Sequence, residues 1–189
     1  MGADLTKQLH VADTPGLETV ELSPAMFEVF NRFAVRMDRY HQGFRRTWTM
    51  MVNACSSGML PPRMSQSHFI DAGIRFTQEV TMHHDYEEAY LFPFLARRMP
   101  EFRKVDKHNP ATAELLRQHE VIHHGLGIVA EYLQACRRGT IDFQFSMLRE
   151  KLDSFGSVLW THLDQEVKTL GAENMKRYWK LEELDRFPM

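Results

Sequence analysis

Two histidines and two glutamates share one short run, HHDYEE, as His83, His84, Glu87 and Glu88. A helix puts residues four apart on one face, so His83 would meet Glu87 and His84 would meet Glu88. The chain carries ten histidines in 189 residues. Others recur at helical spacing: His41 in YHQGFRR, His119 and His123 in QHEVIHHGL, and His162 with Glu166 in WTHLDQE. Neutral imidazole is the commonest metal ligand and carboxylates can bridge two ions. The chemistry these residue types point to is metal ligation.

Breakers along the chain mark the elements that must position them. Ser23 followed by Pro24 offers a helix start, and CSSGMLPP from Cys55 to Pro62 ends that helix. A second helix is expected from near Ser67 to about Met99, with Pro93 predicting a kink or break in its last turns. MPEFRKVDKHNP reads as a polar loop, and NPAT opens a third helix that stops at Arg137 to Thr140. A fourth is expected from about Asp142 to Leu170, where glycine follows. The tail then forms one short helix that packs through Tyr178 and Trp179. Four long helices with short links, and no convincing strand run, predict an all-α fold: an antiparallel up-down four-helix bundle with a short C-terminal helix. The expected organisation is an N-terminal arm over 1–22, the bundle over 23–170 and a helical tail over 171–189.

Periodicity then selects the inward residues. Phe27, Phe30, Ala34, Met37, His41, Phe44, Trp48, Met51 and Cys55 alternate spacings of three and four, as a buried seam does. In the second helix Phe69, Gly73, Phe76, Val80, His83, Glu87, Tyr90 and Phe94 follow the same rule. His83 and Glu87 are therefore the inward pair, with His84 and Glu88 about 100° further round toward a flank or solvent. The third seam is Leu116, His119, His123, Leu126, Ala130 and Leu133. The fourth is Phe145, Leu148, Leu152, Phe155, Leu159, His162, Glu166 and Leu170. In an up-down bundle the histidines of helices two, three and four share one end. His41, roughly 25 Å past the start of its helix, reaches them only if helix one protrudes by a turn or two.

Buried ionisable groups cost several kcal/mol each unless paired or metal-bound. A lone seam histidine is usually a core residue hydrogen-bonded to a neighbour, but seven polar groups on converging seams are hard to account for as packing. Two six-coordinate irons offer about twelve positions. Five imidazoles, two bridging carboxylates and one bridging oxo or hydroxo group fill all but about one. A single vacancy suits a small diatomic ligand. His10, His68, His84, His108 and His124 read as surface residues, with His84 and His124 beside ligands.

Composition narrows the rest. With 25 acidic against 23 basic residues, the chain lacks the charge excess of a nucleic-acid or membrane-surface binder. Cys55 and Cys136 do not suggest a disulfide framework. No run has signal-peptide or membrane-spanning character, so a cytoplasmic protein is expected. MGADLT fits the short N-myristoylation pattern, which often arises by chance.

YHQGFRR, HHDYEEAYLFP, QHEVIHHGL and WTHLDQE, in this order, resemble the hemerythrin family, specifically the hemerythrin-like domains with the histidine–histidine–glutamate signature. The likeness runs from about Ser23 to Leu170. It implies a four-helix bundle with two non-haem irons (Fe2+/Fe3+), oxo- or hydroxo-bridged, held by five histidines and two carboxylates. By position it implies His41, His83, Glu87, His119, His123, His162 and Glu166 as ligands. Oxygen-carrying hemerythrins have an aspartate five residues after the last histidine. Here Glu166 follows at four, and position 167 is valine. Some relatives use one third-helix histidine, so His119 or His123 can be dispensable. Seven ligands exceed one tetrahedral zinc, and only Glu120 with His123 fits the Glu-x-x-His spacing of ferritin-like sites. Iron is therefore expected, with dioxygen or a related diatomic as partner. An oxidoreductase acting on peroxide, nitric oxide or an organic substrate is the alternative, with iron storage or sensing a third. Polar groups beside the vacancy would favour an enzyme, and an apolar lining a carrier.

Overall fold

The computed structural model describes residues 22–103 and 114–187, and every regular element among them is helical. Helix α1, Pro24–Ser57, starts where expected: Ser23 Oγ accepts from the Met26 N–H at 3.3 Å. It stops at Gly58, whose φ of 67° is the left-handed conformation that closes a helix. Helix α2, Gln66–Tyr86, is capped by the Ser65 side chain. The expected break near Pro93 takes a definite form. Glu87–Leu91 is a π-helical turn, in which the Phe92 N–H reaches back five residues to the Glu87 carbonyl, and a short α3, Phe92–Leu95, follows.

That turn changes which residues face inward. An i→i+5 turn accommodates one extra residue, so the stripe slips by one position after Glu87. Leu91, Phe92 and Leu95 are buried, while Tyr90, expected inward, is 61% exposed. Phe27 is also exposed rather than part of the seam.

Helix α4 is described over Glu114–Arg137, and Gly139 at φ 70° lies in the turn that follows. The NPAT start falls outside the described residues, as do the N-terminal arm up to residue 21, the MGADLT pattern, His10 and His108. The expected single fourth helix is two, α5 over Phe145–Asp153 and α6 over Gly156–Thr169. The break is steric as well as intrinsic. A Cβ at Gly156 would lie 2.6 Å from Trp48 Cζ2, so the chain turns where the indole of α1 needs the space. Helix α7, Ala172–Tyr178, and a 3-10 turn, Leu181–Arg186, form the tail. Trp179 is buried and stacks on Phe94 with centroids 5.3 Å apart.

Helix α1 contacts α2, α5, α6 and α7, while α2 and α4 contact each other and α4 also contacts α5 and α6. Their apolar residues form two separate clusters. One holds Phe44, Trp48, Phe76, Val80, Ile122, Leu126, Leu159 and Leu163. The other holds Phe30, Met37, Leu91, Phe92, Leu115, Leu170, Met175 and Trp179. Along α1, α2 with the turn after it, α4, and α6 with Leu170, the buried histidines and glutamates lie at or beside the changeover from one cluster to the other. The first turns of α1, ahead of His41, pack against α7 and the tail. Among the described residues no helix is long and apolar enough to cross a membrane.

Candidate metal centre

Adjacent histidines on α2 fan apart by about 100°, and here they meet different neighbours. His83 turns toward α1, its Nε2 3.3 Å from His41 Nε2. His84 turns toward α4 and stacks on His119, with centroids 3.9 Å apart. This corrects the expectation that His84 faces a flank or solvent, for it is 0% exposed. The reason is the width of the buried face. α2 packs on both α1 and α4, so Ile70, Ile74 and Thr77 form a second buried stripe that His84 continues. That stripe was legible in the sequence beside the first.

On α4 the buried stripe is Leu115, Gln118, His119, Ile122, Leu126, Val129 and Leu133, not the expected run through Leu116, His123 and Ala130. His123 sits roughly 90° from its centre and is half-buried. Its ring is 6.3 Å from that of His119.

The structure thus brings together two groups whose ligand atoms lie within 4.8 Å of one another: His41, His83, Glu87 and Glu166, and His84, Glu87, His119 and His162. Glu87 belongs to both. Six of the seven residues expected at the site are among these; His123 is outside both groups, and His84 makes the fifth histidine. Glu87 Oε1 is 2.9 Å from His83 Nε2 and Oε2 is 3.5 Å from His119 Nε2. Glu166 Oε2 is 3.3 Å from His41 Nε2 and 3.7 Å from His162 Nε2. Each carboxylate reaches imidazoles of both groups.

The outer nitrogens fix the tautomers. His41 Nδ1–H donates to the Leu163 carbonyl at 3.1 Å, and His119 Nδ1–H donates to Glu88 Oε1 at 2.8 Å. His162 Nδ1–H donates to Gln118 Oε1 at 3.2 Å, and the Gln118 amide donates in turn to Gln165 and Glu114. In the rings of His119 and His162, which burial keeps neutral, the inward Nε2 atoms carry lone pairs and stand 3.2 Å apart. Neither nitrogen of His84 has a hydrogen-bond partner among the described residues, and the Glu87 and Glu166 carboxylates face imidazole nitrogens of the cluster. Lone pairs converging in a dry pocket are costly alone and favourable around a cation. The donor set fits a metal pair.

Electrostatics agree. Burial holds the His83 and His162 imidazoles down at about 4 and His119 at about 2, with neighbouring imidazoles adding to the effect. His84 is likewise pushed well below its ordinary range. Burial and the neighbouring Glu166 charge push Glu87 well above the carboxylate range. Burial also opposes ionisation of Glu166, but His41, His162 and His83 outweigh it and hold that carboxyl at about 2.

The centre is reached from one side. A cavity of about 720 Å³ opens between α1 and α2, and its floor includes Met37, Phe44, His83, Glu87 and Leu91. His83 is the one member of the two groups that is not fully buried. Arg36, Arg39, Tyr40 and Arg46 from α1 and Glu79, Met82 and Tyr86 from α2 form the walls.

Comparison with known proteins adds the family. Residues 33–172 match the hemerythrin HHE cation binding domain. A curated relative, "Dimeric xanthone biosynthesis cluster protein R11" of Cryptosporiopsis sp. (strain 8999), is 32% identical over 108 residues. The alignment covers 53% of this chain and 37% of that protein. No solved structure matches significantly.

Proposed function

The chain belongs to the hemerythrin HHE cation-binding domain family, and on that premise we propose that it holds two non-haem irons and binds dioxygen or a related small ligand. One observation carries the proposal: five imidazoles and two carboxylates, all from helices, converge as two groups that share Glu87. On this reading His41 and His83 hold one iron, His84, His119 and His162 hold the other, and Glu87 and Glu166 span both. His84 takes the part that sequence spacing assigned to His123. The scaffold is an antiparallel four-helix bundle over 23–170, with α5 and α6 together as the fourth member and 171–189 as a tail. The alternating order of the two apolar clusters along α1, α2, α4 and α5–α6 supports that topology.

When bound, an iron pair of the oxo- or hydroxo-bridged kind supplies reversible ligation and redox chemistry toward dioxygen. The protein's own residues do the rest. Leu163, Glu88 and Gln118 orient the imidazoles, and the apolar clusters exclude water on both sides. His83, at the floor of the cavity, marks where a small ligand enters. Two histidines on the His41–His83 side against three on the other would leave room for a ligand on the former, the side the cavity reaches.

A second reading, a di-iron oxidoreductase, is favoured by the arginines, tyrosines and glutamate lining that cavity, which a simple carrier does not need. The relative's name, a protein of a xanthone biosynthesis cluster, points the same way, toward an organic substrate. Mixing the anaerobic ferrous protein with dioxygen and separately with peroxide, followed by stopped-flow absorbance, tests the two. A reversible, oxygen-dependent spectrum supports the carrier reading. Rapid multiple turnover of peroxide with no reversible oxygen spectrum overturns it in favour of the enzyme.

A further inference from the structure

The cavity beside the centre has a composition that a diatomic ligand leaves unexplained. Along α1, Arg36, Arg39, Gly43 and Arg46 follow spacings of three and four, with Tyr40 beside them, so one stripe of the helix faces it. Arg36, Arg39 and Arg46 are exposed and have no ion-pair or hydrogen-bond partner among the described residues. Elsewhere Arg32, Arg45 and Arg98 each pair with a carboxylate. Glu79 is the one acidic residue of the walls, so the charge facing the cavity is positive. Across from the arginines stand Met82 and Tyr86 of α2, and Tyr40 lies against His83 with ring centroids 5.6 Å apart.

Gly43 is the second anomaly. Mid-helix glycine is unfavourable relative to alanine, and close packing excuses Gly73, Gly125 and Gly156, where an added Cβ would meet a neighbour within 2.6 Å. At Gly43 an added Cβ would meet only the Arg46 guanidinium, at 3.9 Å. Gly127 on α4 is as open, with nothing within 4 Å, but does not line the cavity; at Gly43 the missing side chain leaves room in it.

Unpaired arginines, aromatic and thioether walls, and a volume of about 720 Å³ match a planar organic anion. Guanidinium groups hold carboxylates by charge-assisted bonds, and tyrosine and methionine offer flat or adaptable apolar surface. We propose that this cavity binds a small aromatic carboxylate, with its anionic end on Arg36, Arg39 and Arg46 and its ring over Gly43, directed at the His83 floor. The proposal deepens the oxidoreductase reading by naming a substrate class for the same site, and it rests on that reading for the metal beyond the floor.

Isothermal titration calorimetry with 2-naphthoate tests it, on the iron-loaded parent, on Arg36→Gln/Arg46→Gln and on Gly43→Leu. All three are also assayed for iron. The parent should bind 2-naphthoate, and each variant about tenfold or more weakly, as loss of a charge-assisted contact or of the space implies, with iron content retained. Neutral 2-naphthylmethanol should bind less well than the acid, and inorganic phosphate should not displace it. No binding by the parent, equal binding by the variants, or displacement by phosphate overturns the proposal. Iron present without naphthoate binding sinks this inference and spares the di-iron reading; naphthoate binding without iron does the reverse.

Discussion

At the residue scale the centre turns on which of two neighbours faces inward, and the answer is both. His83 and His84 diverge by one helical step, and each reaches a group that contains Glu87. His84→Ala should therefore remove about half or more of the bound iron, since loss of one ligand or its support costs about 10–100-fold in affinity. His123→Ala should leave iron near the parent level. Elemental analysis of the two purified variants decides it, and the opposite pattern would restore His123 to the site. Acid should also weaken the metal-free protein. His83 and His162 titrate at about 4 and His119 at about 2 when folded, against 6.5 for an unperturbed imidazole. Between those values the unfolded chain binds more protons, so stability rises with pH and is lost as pH falls from about 6.5 toward 4. Glu166, depressed to about 2, is a further loss at lower pH. Glu87, raised, acts in the opposite direction. Melting temperatures of apo protein across pH 7 to 4 should fall; a flat profile would contradict this burial. Sequence spacing picked out His41, His83, Glu87, His119, His162 and Glu166, which the structure brings together. It missed His84 because a single seam per helix was assumed, and α2 has two neighbours to satisfy.

At the element scale α1 begins at Ser23 and closes at Gly58, and α4 closes at Gly139, where the breakers placed those ends, while α2 is capped by Ser65 rather than beginning near Ser67. Two internal irregularities were less legible. Pro93 announced a disturbance but not its form, a π turn upstream that shifts the inward face from Tyr90 to Leu91. The α5–α6 break was hidden because Leu152, Phe155 and Leu159 keep helical spacing across it. Ser154 and Gly156 were the available signals, and the need came from Trp48, a residue distant in sequence. Gly156→Ala should accordingly destabilise the protein by about 1–3 kcal/mol, as overpacking does, despite alanine's better helix propensity. Gly127, with nothing within 4 Å of an added Cβ, is the control: Gly127→Ala should stabilise by about 0.5–1 kcal/mol. Denaturant unfolding of both variants checks the pair of signs. A stabilising Gly156→Ala would show that Trp48 does not dictate the break.

At the scale of the whole molecule, a buried polar layer lies between two apolar clusters; α1 and α4 contribute to all three, and α2 and α6 reach the second cluster only through the residues that follow them. Such a layer is costly when empty of charge compensation, so the whole architecture, more than any single residue, favours a bound cation. The all-helical fold and the family were legible because the motifs recur in order on four periodic segments. The role of the tail as a lid on the first turns of α1 was not, since only packing reveals it. The central claim is that Glu87 and Glu166 join two irons into one unit. Mössbauer spectroscopy of protein reconstituted with iron-57 and oxidised tests it most directly. The account predicts two irons per chain, one for each group, antiferromagnetically coupled to a diamagnetic ground state. One iron per chain, or two that remain magnetically independent, would contradict it.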